Sequence, residues 1–173
     1  MVVAIALGNR GEILIDIRMN ALARLGYRIA YLAARGWWFI RRPRTFGSVV
    51  AVWCDGELLL VRTSYRAQYS LPGGFVRPGE TALDAALREV EEELHLQLSP
   101  ESLTLRWHGL TAFEHRRDTT TIWEIVLDQR PSFHVDGREV IWAGWRTPAQ
   151  ARSLPVSPPV RAYLAEAGDV RTR

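Results

Sequence analysis

The spacing of hydrophobic positions changes along the chain, and each spacing predicts a different element. Over residues 19–40 apolar side chains recur every three or four positions with arginines opposite them, which predicts an amphipathic helix. Pro43 ends this pattern. From Phe46 onward, β-branched and aromatic runs alternate with turn signals, and Asp55-Gly56 between two such runs predicts a tight hairpin.

A second amphipathic helix is predicted over residues 82–95. Thr81, followed three positions later by Asp84, resembles a capping box. The apolar stripe of this helix comprises Leu83, Ala86, Leu87, Val90 and Leu94. Strand-like runs at 103–113, 119–127 and 139–145 precede short helices that begin at Pro148 and Pro158. Strands interleaved with helices predict an α/β fold with helices on the faces of a mixed sheet.

The second helix carries a dense group of acidic residues. "REVEEELHL" places four glutamates in five positions, and Glu89, Glu92 and Glu93 share one face while Glu91 lies on a flank. Like charges at this spacing repel by roughly 0.2–0.5 kcal/mol a pair. Three converging carboxylates offer the oxygen ligands that a hard cation such as Mg²⁺ prefers. This face is therefore a candidate metal site.

A glycine-rich loop, "LPGGFVRPGE", leads into the acidic helix. Glycines such as Gly73 and Gly74 let the backbone come close to a ligand. A loop of this kind before a helix presents backbone groups to phosphate or metal. Glu80 adds a fourth carboxylate where the loop meets the helix.

The loop and the helix together resemble the Nudix box, the signature of the Nudix hydrolase family. That signature reads G-x5-E-x7-R-E-U-x-E-E-x-G-U, where U is a bulky apolar residue. Gly74, Glu80 and the run 88–96 match it at every fixed position except one, where His95 replaces the closing glycine. Histidine tolerates the left-handed conformation of a helix C-cap. We expect either such a cap at a modest stability cost, or a helix that runs slightly longer.

The resemblance implies an α/β/α sandwich with a mixed β-sheet over residues 46–168. Residues 1–45 form an N-terminal extension with the basic amphipathic helix, and residues 169–173 form a tail. The implied activity is Mg²⁺-dependent hydrolysis of a pyrophosphate bond in a nucleoside diphosphate linked to another group X, with Mn²⁺ as a second candidate cation. The alternative is a Nudix-fold module that binds a nucleotide or regulates a partner without turnover.

The resemblance also implies roles for the box residues. Glu92 and Glu93 would hold metal, with the carbonyl of Gly73 as a further ligand. Glu89 would bind metal or deprotonate the attacking water, and Arg88 would orient Glu89. Because the glutamates are all present, the enzyme is favoured over the binding module.

Further candidates lie around and beyond the box. Glu80 would brace the loop or join the metal shell. For a general base outside the box, Glu139 is the first candidate, followed by Glu114 and Asp118. Two arginines near the loop, Arg62 and Arg66, are candidates for binding substrate phosphate. A guanidinium group matches the geometry of phosphate oxygens.

Charge sets the N-terminal extension apart from the rest of the chain. Residues 1–47 contain eight arginines and two acidic residues, a balance of +6 within a chain of net charge +3. The helix within residues 19–42 has three interpretations: it packs on the body or on a second copy in a homodimer, it lies on a membrane surface, or it fills a groove of a partner protein.

The remaining composition narrows the setting of the protein. One cysteine excludes an intramolecular disulfide, and no secretory signal is recognisable, so we expect a cytoplasmic protein, with peripheral membrane contact as the variant. A nucleotide-type small molecule is the expected partner. No specific nucleic-acid binding is predicted.

Overall fold

A computed structural model of the chain describes residues 10–135 and 137–167. The predictions that concern residues 1–9 and the tail 169–173 lie outside the described residues. The helices are α1 Arg10–Arg41, α2 Ala82–Leu94, α3 Pro148–Ser153 and α4 Pro158–Ala167. The strands are β1 Arg44–Cys54, β2 Glu57–Thr63, β3 Gly73–Phe75, β4 Thr104–Phe113, β5 Arg116–Leu127 and β6 Val140–Arg146.

One mixed sheet forms the centre of the fold. Its order is β4-β5-β1-β2-β6, and β3 pairs with the first half of β1. β1 and β5 are parallel in unbroken register from Arg44↔Arg117 to Cys54↔Leu127, whereas the other pairs are antiparallel. The predicted mixed sheet is confirmed.

The predicted hairpin joins β1 to β2. Asp55 and Gly56 both have positive φ, 51° and 73°, as the central residues of a two-residue hairpin turn require. Cys54 pairs with Glu57 across this turn. The β1–β2 connection is therefore set by local sequence.

Helices cover both faces of the sheet, which makes the body the predicted α/β/α sandwich. On one face Val50 and Val52 pack with Val90 of α2. On the other face Trp53 packs with α4, where its indole nitrogen donates a hydrogen bond to the Tyr163 hydroxyl at 2.7 Å. Because both faces of β1 are covered, its residues are buried without interruption from Val49 to Cys54.

Both ends of α2 are capped by side-chain and backbone geometry. The Thr81 hydroxyl accepts a hydrogen bond from the Asp84 N–H at 3.1 Å, as the capping-box pattern predicts. At the other end His95 is left-handed, with φ 52° and ψ 35°, and its N–H donates to the Glu91 carbonyl. The first of the two expectations for His95 is therefore confirmed.

α1 differs from its prediction in length and in orientation. It begins at Arg10 within the described residues, well before the predicted start at Met19. It packs on the body, but not through its apolar stripe: Leu22, Leu25, Ile29 and Leu32 are exposed. The interpretation that the helix packs on the body is confirmed, but aromatic and polar side chains of α1 make that contact rather than the apolar stripe.

We predict that His95→Gly stabilises the fold by about 0.5–1 kcal/mol, because glycine avoids the steric cost of a left-handed residue that carries a Cβ. The gain is reduced by losing the stacking of His95 on His134, whose ring centroids lie 6.0 Å apart. Urea unfolding measures the change. The matched control is Glu91→Gly, inside the same helix, which should destabilise by about 1 kcal/mol. A lower urea midpoint for His95→Gly would contradict the prediction.

Candidate active site

The short strand β3 lies between β1 and α2, and its glycines allow that close approach. Gly73 has φ 137°, and a Cβ there would clash with the Ser48 carbonyl and lie 2.6 Å from the Val49 Cα. On its other side the Gly73 N–H donates to the Glu93 carboxylate at 2.9 Å. β3 is thereby fixed to α2 through one of the predicted metal ligands.

Gly74 makes room for the carboxyl group of Glu89. A Cβ at Gly74 would lie 2.5 Å from the Glu89 Cδ and 2.6 Å from its Oε1. Burial raises the pKa of Glu89, the charges of Glu92 and Glu139 add to this, and Arg88 opposes it. The missing side chain of Gly74 therefore creates the pocket that holds this carboxyl.

Arg88 connects the acidic residues of the box. Its Nε donates to Glu80 at 2.8 Å and its Nη1 donates to Glu89 at 2.7 Å and to Glu92 at 3.3 Å. Its Nη2 reaches the Phe75 carbonyl at 3.2 Å. The hydrogen bond from Arg88, and a second from the Arg77 backbone, lower the pKa of Glu80 to about 2. Arg88 therefore orients Glu89 while Glu80 holds Arg88.

A cavity of about 370 Å³ opens beside this network. One wall consists of Glu89, Glu92 and Glu93 on α2 together with β3. The opposite wall is β5, whose inward-facing residues are Arg116, Asp118 and Thr120. A cavity of this size fits a small-molecule ligand, and its lining combines the carboxylates of α2 with the guanidinium groups of Arg66 and Arg116.

Glu139, the first candidate for a base outside the box, lines the same cavity. The Tyr65 hydroxyl donates a hydrogen bond to its Oε1 at 2.7 Å. Burial and the Glu139 charge raise the pKa of Tyr65, so this hydroxyl remains a donor. Glu139 also acts electrostatically on Glu89. The structure thus brings Glu139 and the box carboxylates together, and the role of Glu139 stays a prediction.

The other predicted residues divide between the cavity and its surroundings. Asp118 and Arg66 line the cavity. Glu114 lies behind that lining, where Arg66, Arg116 and the Tyr31 hydroxyl all donate to its carboxylate. Arg62 lies outside the lining, with its guanidinium 5.7 Å from the centre of the Tyr69 ring.

Sequence reasoning missed Arg116 as part of the site. The strand-like runs predicted at 103–113 and 119–127 left residues 114–118 as the connecting loop, but only Glu114 and His115 form the turn and β5 begins at Arg116. Arg116 is 3% exposed and its guanidinium lies 4.1 Å from the Trp38 ring and 5.0 Å from the Phe75 ring. No period-two signal marked the inward-facing residues, because residues 116–121 are all polar.

The donors of the site fit a hard divalent cation. Carboxylate oxygens of Glu92 and Glu93 and the Gly73 carbonyl are hard ligands of the kind that Mg²⁺ and Mn²⁺ accept. Within residues 10–135 and 137–167, no three acidic, histidine or cysteine side chains are already gathered as a metal site. Since Mg²⁺ keeps several waters and shares substrate phosphates, a partial set of protein ligands suits it.

This arrangement defines a class of α/β protein: a mixed sheet between helices, with carboxylates on one helix facing a glycine strand and arginines across a cavity. The NUDIX domain model matches residues 42–166 of the chain. The chain therefore belongs to the NUDIX domain family, and it is a pyrophosphohydrolase of that family.

Solved structures share the fold. The MutT protein from Methanosarcina mazei Go1 aligns with a TM-score of 0.63 at 17% identity, covering 72% of this chain and 93% of that chain. The MutT NUDIX hydrolase from Burkholderia pseudomallei has a TM-score of 0.60 at 24% identity, with 72% and 98% covered. The dihydroneopterin triphosphate pyrophosphohydrolase of E. coli has a TM-score of 0.60 at 20% identity, and the alignment covers 70% of this chain and 92% of that chain. No curated protein sequence matches the chain.

We predict that Gly74→Ala lowers turnover at least about 100-fold while changing the free energy of unfolding by less than about 2 kcal/mol. The new Cβ displaces the carboxyl end of Glu89, which is flexible, and misplaced groups at a reacting centre cost rate. Steady-state kinetics and urea unfolding give the two values. Gly26→Ala in α1 is the control, since a Cβ there meets no atom within 4 Å. Unchanged turnover in Gly74→Ala would contradict the proposed position of Glu89.

We predict that Glu80 stabilises the fold above pH 4.5 and loses this effect as the pH falls from 4.5 towards 2. The sign follows because the folded-state pKa, about 2, lies below the ordinary value of 4.5. Glu80→Gln should therefore be less stable than wild type at pH 7, with a difference that shrinks over this window. Urea unfolding at several pH values tests it, with Glu91→Gln as control. A difference that does not vary with pH would contradict the prediction.

Proposed function

We propose that the protein hydrolyses the pyrophosphate bond of a nucleoside diphosphate linked to another group X, and that the reaction depends on Mg²⁺. The observation that carries this proposal is the convergence of Glu89, Glu92 and Glu93 on the β3 glycines, with Arg88 joining Glu89 and Glu92. Arg88 and Arg77 pair with Glu80, Glu89 and Glu92, and Glu93 accepts the Gly73 N–H, so four carboxylates face two guanidinium groups and keep an excess of negative charge. A cation bound beside them would balance that excess.

The cation would be held by Glu92 and Glu93, with the Gly73 carbonyl as a further ligand. Glu92 is 52% exposed, so its carboxylate is accessible from solvent. Glu93 is nearly buried and keeps one oxygen on the Gly73 N–H, which fixes the direction of the other. When bound, Mg²⁺ neutralises pyrophosphate oxygens and makes a water molecule more acidic. Mn²⁺ has similar ligand preferences and is the second candidate.

Glu89 is the favoured proton acceptor for the attacking water. Burial raises its pKa, so it holds a proton more readily than an exposed carboxylate does. The Arg88 hydrogen bond at 2.7 Å fixes its orientation. Glu139 is the alternative base, but one of its oxygens already accepts the Tyr65 hydroxyl. After attack at phosphorus, the bridging oxygen leaves and two phosphorylated products separate.

The opposite wall supports an anionic, aromatic substrate. Arg66 and Arg116 supply guanidinium groups that match phosphate oxygens. The Phe75 ring, 43% exposed at the edge of the cavity, offers a surface on which a nucleobase stacks. We assign phosphate to the arginines and the base to Phe75.

The second candidate is a binding module that holds a nucleotide without turnover. The residues that support it are Arg66, Arg116 and Phe75, which line the cavity and could hold a nucleotide whether or not the carboxylates bind a cation. In that case the cavity and its arginines would serve recognition alone. The same panel of substrates distinguishes the two functions.

We predict metal-dependent turnover that Glu93→Gln reduces at least about 100-fold, because an amide keeps the shape and the hydrogen bond from Gly73 but removes the negative charge. The assay measures phosphate or nucleotide release from nucleoside triphosphates, dinucleotides and sugar nucleotides, with Mg²⁺ and with chelator. Ap4A and dihydroneopterin triphosphate join the panel, because two fold neighbours are named for acting on them.

Glu91→Gln is the matched control, because Glu91 is exposed on the flank of the same helix. Its carboxylate accepts a hydrogen bond from the Gln97 side chain. It should retain turnover. If the folded wild type released no phosphate or nucleotide from any substrate of the panel but still bound a nucleotide in calorimetry, the result would contradict hydrolysis and establish the binding module.

A further inference from the structure

α1 has two faces with different partners. Its inner face attaches to the body through Arg24, whose Nε donates to the Gly137 carbonyl at 2.7 Å, and through Arg28, whose Nε donates to the Ser64 carbonyl at 3.1 Å. Tyr31 donates to Glu114 on the same side. The helix is therefore held by polar groups, and its attachment leaves the apolar stripe unused.

The outer face is a continuous apolar surface. Its side chains are 54–75% exposed and extend along the helix from residue 22 to residue 40, namely Leu22, Leu25, Ile29, Leu32, Trp37 and Ile40. They follow a helical repeat, so they form one stripe. Apolar stripes of this length on a protein surface mark a binding face.

The charge around the stripe identifies what it binds. Residues 17–54 contain no acidic residue and seven arginines, a charge of +7 that leaves −4 for the remainder of a chain of net charge +3. A second copy would bring two such segments together and repel. Arg24 and Arg28 face the body, whereas Arg41, Arg42 and Arg44 are exposed at the C-terminal end of the stripe. An apolar stripe that ends in exposed arginines matches the surface of an anionic bilayer, which attracts arginine and accepts apolar side chains beneath its headgroups.

The C-terminal end of α1 carries side chains that suit the interface between a membrane and water. Trp37 is exposed, with the Arg41 guanidinium 5.4 Å from its ring centre, and Arg42 and Arg44 follow. An exposed tryptophan beside arginines suits the headgroup region, where an apolar ring and a charged group are both accommodated. No helix among the described residues is long and apolar enough to cross a membrane. Contact at the surface therefore suits α1.

We propose that the outer face of α1 binds anionic lipid membranes, with the helix parallel to the bilayer and the stripe from Leu22 to Ile40 in the headgroup–acyl boundary. The inner face meanwhile keeps its contacts with the body. Tyr31 and Trp38 touch Arg66 and Arg116, which line the catalytic cavity, so the cavity wall lies about one helix diameter, ~10 Å, from the bound surface.

The test is sedimentation of the full chain with vesicles of phosphatidylcholine alone or of phosphatidylcholine with phosphatidylserine. We expect binding to the anionic vesicles that weakens with added salt. Leu25→Glu combined with Ile29→Glu should lower the partition coefficient at least about 10-fold. Leu25→Gln with Ile29→Gln, which adds no charge, should lower it less but in the same direction.

The matched control places the same changes on β4, as Leu105→Glu with Leu110→Glu. These leucines are 54% and 58% exposed, so the control alters apolar exposure and net charge equally but leaves α1 intact. It should bind as wild type does. Circular dichroism and hydrolytic turnover verify that each variant is folded.

Three outcomes overturn the proposal. The first is no binding of the wild type to anionic vesicles. The second is equal loss of binding in the α1 and β4 variants, which would show that vesicle binding depends on the net charge of the protein and not on the stripe. The third is a dimer in sedimentation velocity that the α1 variant abolishes while vesicle binding is absent, which would assign the stripe to a second copy.

Discussion

The fold and the site both depend on the absence of a Cβ at Gly73 and Gly74. Without side chains there, β3 lies against β1 on one side and against α2 on the other, closer than any other residue allows. That approach lets the Gly73 N–H reach the Glu93 carboxylate and leaves a pocket for the Glu89 carboxyl. The two glycines thus position the carboxylates of the acidic helix. They also connect the site to β1, on which β3 pairs.

The acidic residues repel one another, and Arg88 contains this repulsion only in part. Its guanidinium serves Glu80, Glu89 and Glu92 at once, so each carboxylate receives a share of one positive charge. The effect is uneven: the pKa of Glu80 falls to about 2, whereas burial raises that of Glu89. Glu80 therefore serves the structure, and the remaining excess of negative charge lies on the cavity wall formed by Glu89, Glu92 and Glu93. The charge of Glu80 therefore stabilises the fold, whereas the charge of the buried Glu89 carboxyl costs stability.

The box, its capped helix and the hairpin at Asp55 could all be predicted because their signals are local. Caps, turns and helical spacing depend on residues within a few positions of each other. The wall across the cavity could not be predicted in the same way, since it requires β5 to pair in parallel with β1 over a long separation. The turn that starts β5 also lacks the usual glycine or asparagine, as Glu114 and His115 both adopt positive φ. Arg116 was consequently assigned to a loop, although it is buried in the site.

The orientation of α1 shows that the apolar face of an amphipathic helix is not always the face that packs on the rest of the protein. The body presents Glu114, Arg66 and Arg116 to the helix, and such groups are met by Tyr31 and Trp38, which combine an apolar ring with a polar atom. The leucine stripe meets no counterpart among the described residues, and the contacts of the inner face set its outward orientation. Because Tyr31 and Trp38 touch Arg66 and Arg116, the inner face of α1 helps to fix the position of both arginines of the cavity wall.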